Sequence, residues 1–194
     1  MTLIPEPIDR ENKMIMKKTA LLVATAYSLF FSGAFAANDL SAGLTISGNL
    51  NTVSDCKPLI SQAVADLGQK AMKDLPYIGQ SSNASVLETA YFVDLSGKEC
   101  ANTKIGLKFL GDADDETGQA LQNTLNGDDA AKGIAVNIYD GQGSIITPNV
   151  SVNSVNEEVY HGHFPFHLSM AKSAAENVAA GNVQASLTVE MVRL

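Results

Sequence analysis

Side chains able to do chemistry gather in four places along the chain. The stretch His161-Gly-His163-Phe-Pro-Phe-His167 holds all 3 histidines. On an unbroken strand these odd-numbered positions share one face, where imidazoles could meet a metal ion. A redox centre built on imidazoles would need roughly twice that supply. Ordinary surface histidines are the expectation, with a His-site metal-binding protein as the alternative. Asp112, Asp114, Asp115 and Glu116 crowd a short acidic run. A calcium loop needs glycine at its sixth position and glutamate at its twelfth. Counted from Asp112, Gly118 is seventh and Asn123 is twelfth, so the run reads as a solvated charge cluster. Gly141-Gln-Gly143-Ser144 lacks the G-K-[ST] ending of a phosphate cradle, which leaves it a turn. Neither a G-x-S-x-G elbow nor an H-E-x-x-H pair occurs. The sequence carries no catalytic constellation, and no cofactor or small-molecule substrate is expected.

The fourth place is the pair Cys56 and Cys100, 44 residues apart. Two cysteines cannot complete a four-thiolate zinc site. No C-x-x-C spacing marks a reactive pair, and the neighbours Asp55 and Glu99 disfavour the thiolate. One structural disulfide is the expectation, worth roughly 4 kcal/mol in the chain-entropy model for a loop of that length. It needs an oxidising compartment to persist, and the N-terminus supplies a route to one. Lys17-Lys18 precede an apolar run from Ala20 to Phe31, followed by Ser32-Gly33-Ala34-Phe35-Ala36. A positive head, a short apolar core and an A-x-A ending are the parts of a secretory signal peptide. The run falls short of the about 20 apolar residues that span a bilayer. Residues 1–36 are therefore read as leader and signal peptide, with Met1, Met14 and Met16 as alternative starts.

Composition sets the class. The 194 residues are 45% hydrophobic and 18% charged, with 21 acidic against 13 basic side chains and a net charge of −8. That length suits one domain. The acidic balance lacks the basic surface that nucleic acid or an anionic membrane would attract. Leu44-Thr-Ile-Ser-Gly-Asn-Leu50 alternates apolar and polar residues, and the pattern reaches back through Ala42 to Leu40. This is the period of a strand with one buried face. Lys57–Leu75 is ambiguous: Leu59, Ile60, Ala63, Val64 and Leu67 could share a helical face, yet Ala63–Leu67 could also be a strand ending at Gly68. Val86–Leu95, Lys104–Leu110, Gly133–Tyr139, Val150–Val155, Val159–Met170 and Val183–Arg193 read as strands. Asp140-Gly-Gln-Gly143 reads as a hairpin turn into Ser144–Thr147, and Gly111–Asp129 and Ala174–Gly181 as loops. Seven or eight short strands with no βαβ rhythm predict an antiparallel β-sandwich. Both ends of the mature chain are strand-like and amphipathic, although termini usually fray unless something pairs with them.

Over Ala37–Leu194 these fragments, taken in order, resemble the type 1 family of chaperone–usher fimbrial major pilins. Leu44–Leu50 ahead of Cys56 is similar to the pilin first strand. Asp66-Leu67-Gly68 looks like a pilin strand end, which tips Lys57–Leu75 towards strand. Phe92-Val-Asp-Leu95 leads to Cys100 as in the strand before the second family cysteine. Lys108-Phe-Leu-Gly111, Gly133-Ile-Ala-Val-Asn-Ile-Tyr-Asp140 with Gly143, and Phe164-Pro-Phe166 follow in family order. Gly181 stands fourteenth from the C-terminus, where pilins keep a glycine. Arg193 departs from the pattern, since pilins usually have a penultimate tyrosine used in chaperone contact.

The resemblance implies an all-β fold: an incomplete immunoglobulin-like β-sandwich completed by a donor strand from a neighbouring subunit. It divides the chain into the leader 1–36, an N-terminal donor-strand extension 37–46 and a pilin domain 47–194. The donor residues would be Leu40, Ala42, Gly43, Leu44 and Ile46, with Ala42 or Gly43 serving a pocket that takes a small residue. Gly181, Ala185, Leu187, Val189, Met191 and Arg193 would belong to a C-terminal strand that lines the groove and faces the chaperone. The implied function is that of a non-enzymatic structural subunit, exported to the periplasm and built into a cell-surface fimbria that supports adhesion. Its implied partners are identical or related pilin subunits, a periplasmic chaperone and an outer-membrane usher, and no nucleic acid. A minor adaptor subunit of the same system is the alternative.

Overall fold

Short amphipathic strands must bury their apolar faces against one another, and two sheets packed face to face are the simplest way. The structure, a computed structural model, describes residues 39–49, 56–83, 87, 89–97, 100, 104–155, 162–175 and 177–194. The chain divides into two units, Met1–Ala37 and Asn38–Leu194. The leader read at 1–36, the strand start at Val86 and the histidine His161 lie outside the described residues.

Among the described residues are ten strands: β1 (Asp39–Asn49), β2 (Lys57–Ile60), β3 (Val64–Ala71), β4 (Ala90–Ser96), β5 (Ile105–Leu110), β6 (Leu121–Gln122), β7 (Ile134–Asp140), β8 (Val152–Val155), β9 (His163–Lys172) and β10 (Asn182–Arg193). They form two five-stranded sheets, ordered β3-β1-β10-β5-β8 and β2-β4-β9-β7-β6. Every pairing between them is antiparallel except that of β1 with β10. The fold is an all-β sandwich. Its core centres on Phe166, whose ring lies 5.3 Å from that of Phe109 and 5.7 Å from that of Tyr91.

The ambiguous stretch resolves into β2, β3 and a 3-10 turn at Met72–Asp74. Gly68 makes a helix untenable there. It sits at φ 64°, and its N–H donates to the Asp66 carboxylate at 2.9 Å. The β1–β3 register shifts at this point, so Leu67 is left as an extra residue in a bulge. The disulfide joins Cys56 to Cys100, tying the entry of β2 to the connection after β4.

β7 is buried from Ile134 to Tyr139, on both faces. Ile134, Val136 and Ile138 belong to the sandwich core. The opposite face carries Asn137, whose amide donates to the Tyr77 carbonyl at 3.1 Å and to the Tyr139 hydroxyl at 2.8 Å. Its carbonyl oxygen accepts from Gly79 N–H at 3.1 Å. These bonds fasten a surface turn over the sheet and satisfy a fully buried polar side chain.

The acidic run departs from expectation at one residue. Asp112, Asp115 and Glu116 are exposed, but Asp114 is only 7% exposed. Its carboxylate accepts from the Thr117 N–H at 2.8 Å and the Ala120 N–H at 3.0 Å, and from the Thr117 hydroxyl. The turn so formed delivers Ala120 and Leu121 into the interior. Burial by itself would raise the Asp114 pKa, but these bonds outweigh it and hold the carboxyl below its ordinary range.

Candidate functional site

The two described histidines, His163 and His167, do not converge on a ligand site. His163 is engaged by the Asp94 carboxylate and stacks on Phe92, ring centroids 4.1 Å apart. His167, on the same strand, is buried, and its Nδ1 donates to the Thr89 carbonyl at 3.0 Å. Among the described residues, no three His, Cys, Asp or Glu side chains are placed to hold a metal ion.

The most distinctive geometry lies at the two chain ends. β10 alternates from Asn182 to Val189: Val183, Ala185, Leu187 and Val189 are at most 2% exposed, while Gln184 and Ser186 face solvent. β1 alternates in the same way, with Ala42, Leu44 and Ile46 buried and Gly43, Thr45 and Ser47 exposed. The parallel register sets Ala42 opposite Val183, Leu44 opposite Ala185 and Ile46 opposite Leu187. A small side chain faces a large one in the first two pairs, and two large ones meet at Ile46 and Leu187, so the interface is filled along its length. On its other edge β1 pairs with β3. Outside the core, Ser47 and Thr188 exchange a hydroxyl hydrogen bond of 3.0 Å.

β1 thus occupies a slot whose walls are β3 and β10. Those walls are not neighbours in the sheet, so an empty slot would leave the β10 edge from Asn182 to Glu190 unpaired above an apolar floor. Such an edge templates the addition of another strand. What the slot can do chemically is bind an extended segment with apolar residues at every second position. Each large side chain sealed this way contributes roughly 1.5–3 kcal/mol.

The positions read from the sequence fall as follows. Ala42, Leu44 and Ile46 point into the slot, and the strand runs on past Ile46 to Asn49. Leu40 lies on β1 opposite Lys70. Gly43 needs correction as a pocket residue. It is out of phase with its neighbours, and a Cβ built there would meet nothing within 4 Å; Ala42 is the small residue facing inward. Ala185, Leu187 and Val189 line the floor, Met191 is half-buried, and Arg193 is exposed at the end of β10. Gly181 precedes the strand rather than lining it. A Cβ there would fall 2.5 Å from the Ala131 nitrogen and 2.6 Å from the Ala130 carbonyl carbon, so only glycine permits this backbone approach. Val183, absent from the sequence-derived set, lines the slot as fully as Ala185 does; its phase with Ala185 was the available signal.

The family model described as fimbrial protein matches residues 44–192. Among the solved structures similar to the chain are two pilus or fimbria proteins. The P pilus rod subunit PapA shares 20% identity over 75% of this chain and 95% of its own, with a TM-score of 0.43. An antigen and type I fimbria protein of Burkholderia pseudomallei shares 20% identity over 80% of this chain and 94% of its own, with a TM-score of 0.41. No curated protein sequence matches.

Proposed function

Because this chain belongs to the fimbrial protein family, we propose that it is a structural pilus subunit that polymerises by donor-strand exchange, non-enzymatic in its role. The observation that carries the reading is the seating of β1 itself. A segment near the start of the unit Asn38–Leu194 supplies three alternate apolar side chains to a slot between β3 and β10 that no other strand among the described residues enters. β1 could leave the slot with β2 and its disulfide anchor still in place. The slot would then take the equivalent segment of a second copy. Every copy would give one strand and receive one, a heterologous contact that propagates into an open fibre.

The tether supports the need for an escort. A chain's own segment is present at high effective concentration and competes with any donor from outside. A periplasmic chaperone that holds the slot, and an outer-membrane usher where the exchange occurs, would keep that competition from trapping single copies. Possession of both a donor segment and a slot suits an interior, shaft position, and an adaptor subunit shares both features. Export through the 1–36 leader to the periplasm, and then display on the cell surface in support of adhesion, complete the reading.

The test is to shear filaments from the surface of cells expressing the chain and identify their repeating polypeptide by mass spectrometry. The chain should be that repeat. Its recovery solely as a periplasmic monomer, in cells bearing filaments of other composition, would refute the proposal.

A further inference from the structure

The slot is only as good as its wall, and β10 is not backed by a strand along its whole length. β5 pairs with it from Thr188 to Arg193. Ahead of Thr188 the edge away from β1 is held by the loop between β6 and β7. Asn123 in this loop uses its entire amide. Nδ2 donates to the Asn182 and Ala131 carbonyls, both at 3.1 Å. Oδ1 accepts from Gln184 N–H at 2.9 Å and Leu125 N–H at 3.2 Å. Two donors and two acceptors exhaust what an amide side chain offers. Thr124 adds its N–H and its hydroxyl, which donate to the Gln184 carbonyl at 2.7 Å and 3.0 Å. Asn182 N–H donates to Asp129 O at 2.7 Å, and Ala131 N–H returns a bond to Asn182 O at 3.0 Å. The backbone of Asn182 and Gln184 is thus committed to the loop, which leaves Val183 and Ala185 to bond β1.

We propose that Asn123 is a positioning residue for strand donation. It holds the half of the slot opposite Ala42 and Leu44 in extended form, ready to pair, whether or not a donor is present. Without it, Asn182–Ser186 would keep only the bonds from Thr124, Asp129 and Ala131 on that edge once the slot emptied, and each incoming strand would have to order a looser segment. The half at Leu187–Val189 adjoins β5 and does not depend on the loop. The proposal rests on reading the slot as a strand acceptor, but its test reads the wall directly.

That test is amide hydrogen exchange on the full chain, compared with Asn123→Ala and Thr124→Val. In Asn123→Ala, amides of Val183–Ala185 and Ala42–Leu44 should exchange roughly tenfold faster or more. Those of Val189–Met191 should stay within roughly twofold of the parent. Thr124→Val keeps its backbone N–H bond to Gln184 and should show the same pattern more weakly. Acceleration spread evenly over both halves, or no change in either, overturns the proposal. A failure of the donor reading shows up elsewhere: a chain lacking residues 37–44 that assembled normally would refute donation, while the exchange pattern would still decide the role of Asn123.

Discussion

Leu44 and Ala185 face each other on adjacent parallel strands, each at most 1% exposed, although they stand near opposite ends of the chain. A large residue over a small one fixes both depth and register, because a one-residue slip would turn Leu44 to solvent. Leu44→Asp would place a carboxylate where no partner waits. It should cost at least about 3 kcal/mol, combining lost transfer energy with charge burial. Ile46→Asp should behave similarly. Urea denaturation of the single chain and heat dissociation of filaments both read this, and unchanged midpoints would count against these positions as slot residues.

Ala42 and Gly43 separate the two phases of the same strand. Ala42→Leu enlarges a residue sealed against Val183 and should destabilise by roughly 1–3 kcal/mol through overpacking. Gly43→Ala adds a methyl group in open space and should stay within about 0.5 kcal/mol of the parent. Equal effects of the two substitutions in thermal melts would mean that the register differs.

Gly181→Ala would drive a methyl group into the backbone of Ala130 and Ala131. Backbone atoms cannot rotate aside, so the start of β10 must shift. A loss of roughly 1–3 kcal/mol is expected, with faster hydrogen exchange at Asn182–Gln184. A variant as stable as the parent would show that the backbone of Ala130 and Ala131 leaves room for a methyl group.

Much of the fold was legible because period-two alternation is a local property. β1, β5, β7 and β10 follow directly from Leu44–Leu50, Lys104–Leu110, Gly133–Tyr139 and Val183–Arg193. Lys57–Leu75 satisfied two periods at once, and the left-handed Gly68 with its bulge decided between them. Asp114 passed for a solvated carboxylate because its burial depends on a turn folding back over it. Val183 shares the phase of Ala185, so alternation alone was enough to include it. The seating of β1 beside β10 and the four bonds of Asn123 arise from segments that meet only in the folded chain, and no local pattern encodes them.

Asp114 gives the sandwich an acid-sensitive point. Its folded pKa lies below the ordinary value, so its contribution is complete above the unfolded carboxylate range, near pH 4. That contribution is lost as pH falls through the folded value. Asp114→Asn should lower stability at neutral pH and flatten the decline of the unfolding midpoint between roughly pH 4 and 2. Parallel pH profiles for the two chains would show that this carboxylate is not linked to folding.

The Cys56–Cys100 bridge closes a long loop and anchors the entry of β2. Cys56→Ser should cost roughly 2–5 kcal/mol and reduce the yield of folded chain in an oxidising compartment. Normal yield and an unchanged denaturation midpoint would make the bridge dispensable.

Strand donation between copies is measured most directly by co-assembling the full chain with an isotopically heavy chain lacking residues 37–44, then counting heavy subunits in purified filaments. A chain that can receive a strand but not give one should be nearly absent from the filament interior while still occupying the chaperone. Heavy subunits present in proportion to their supply would contradict donation by this segment.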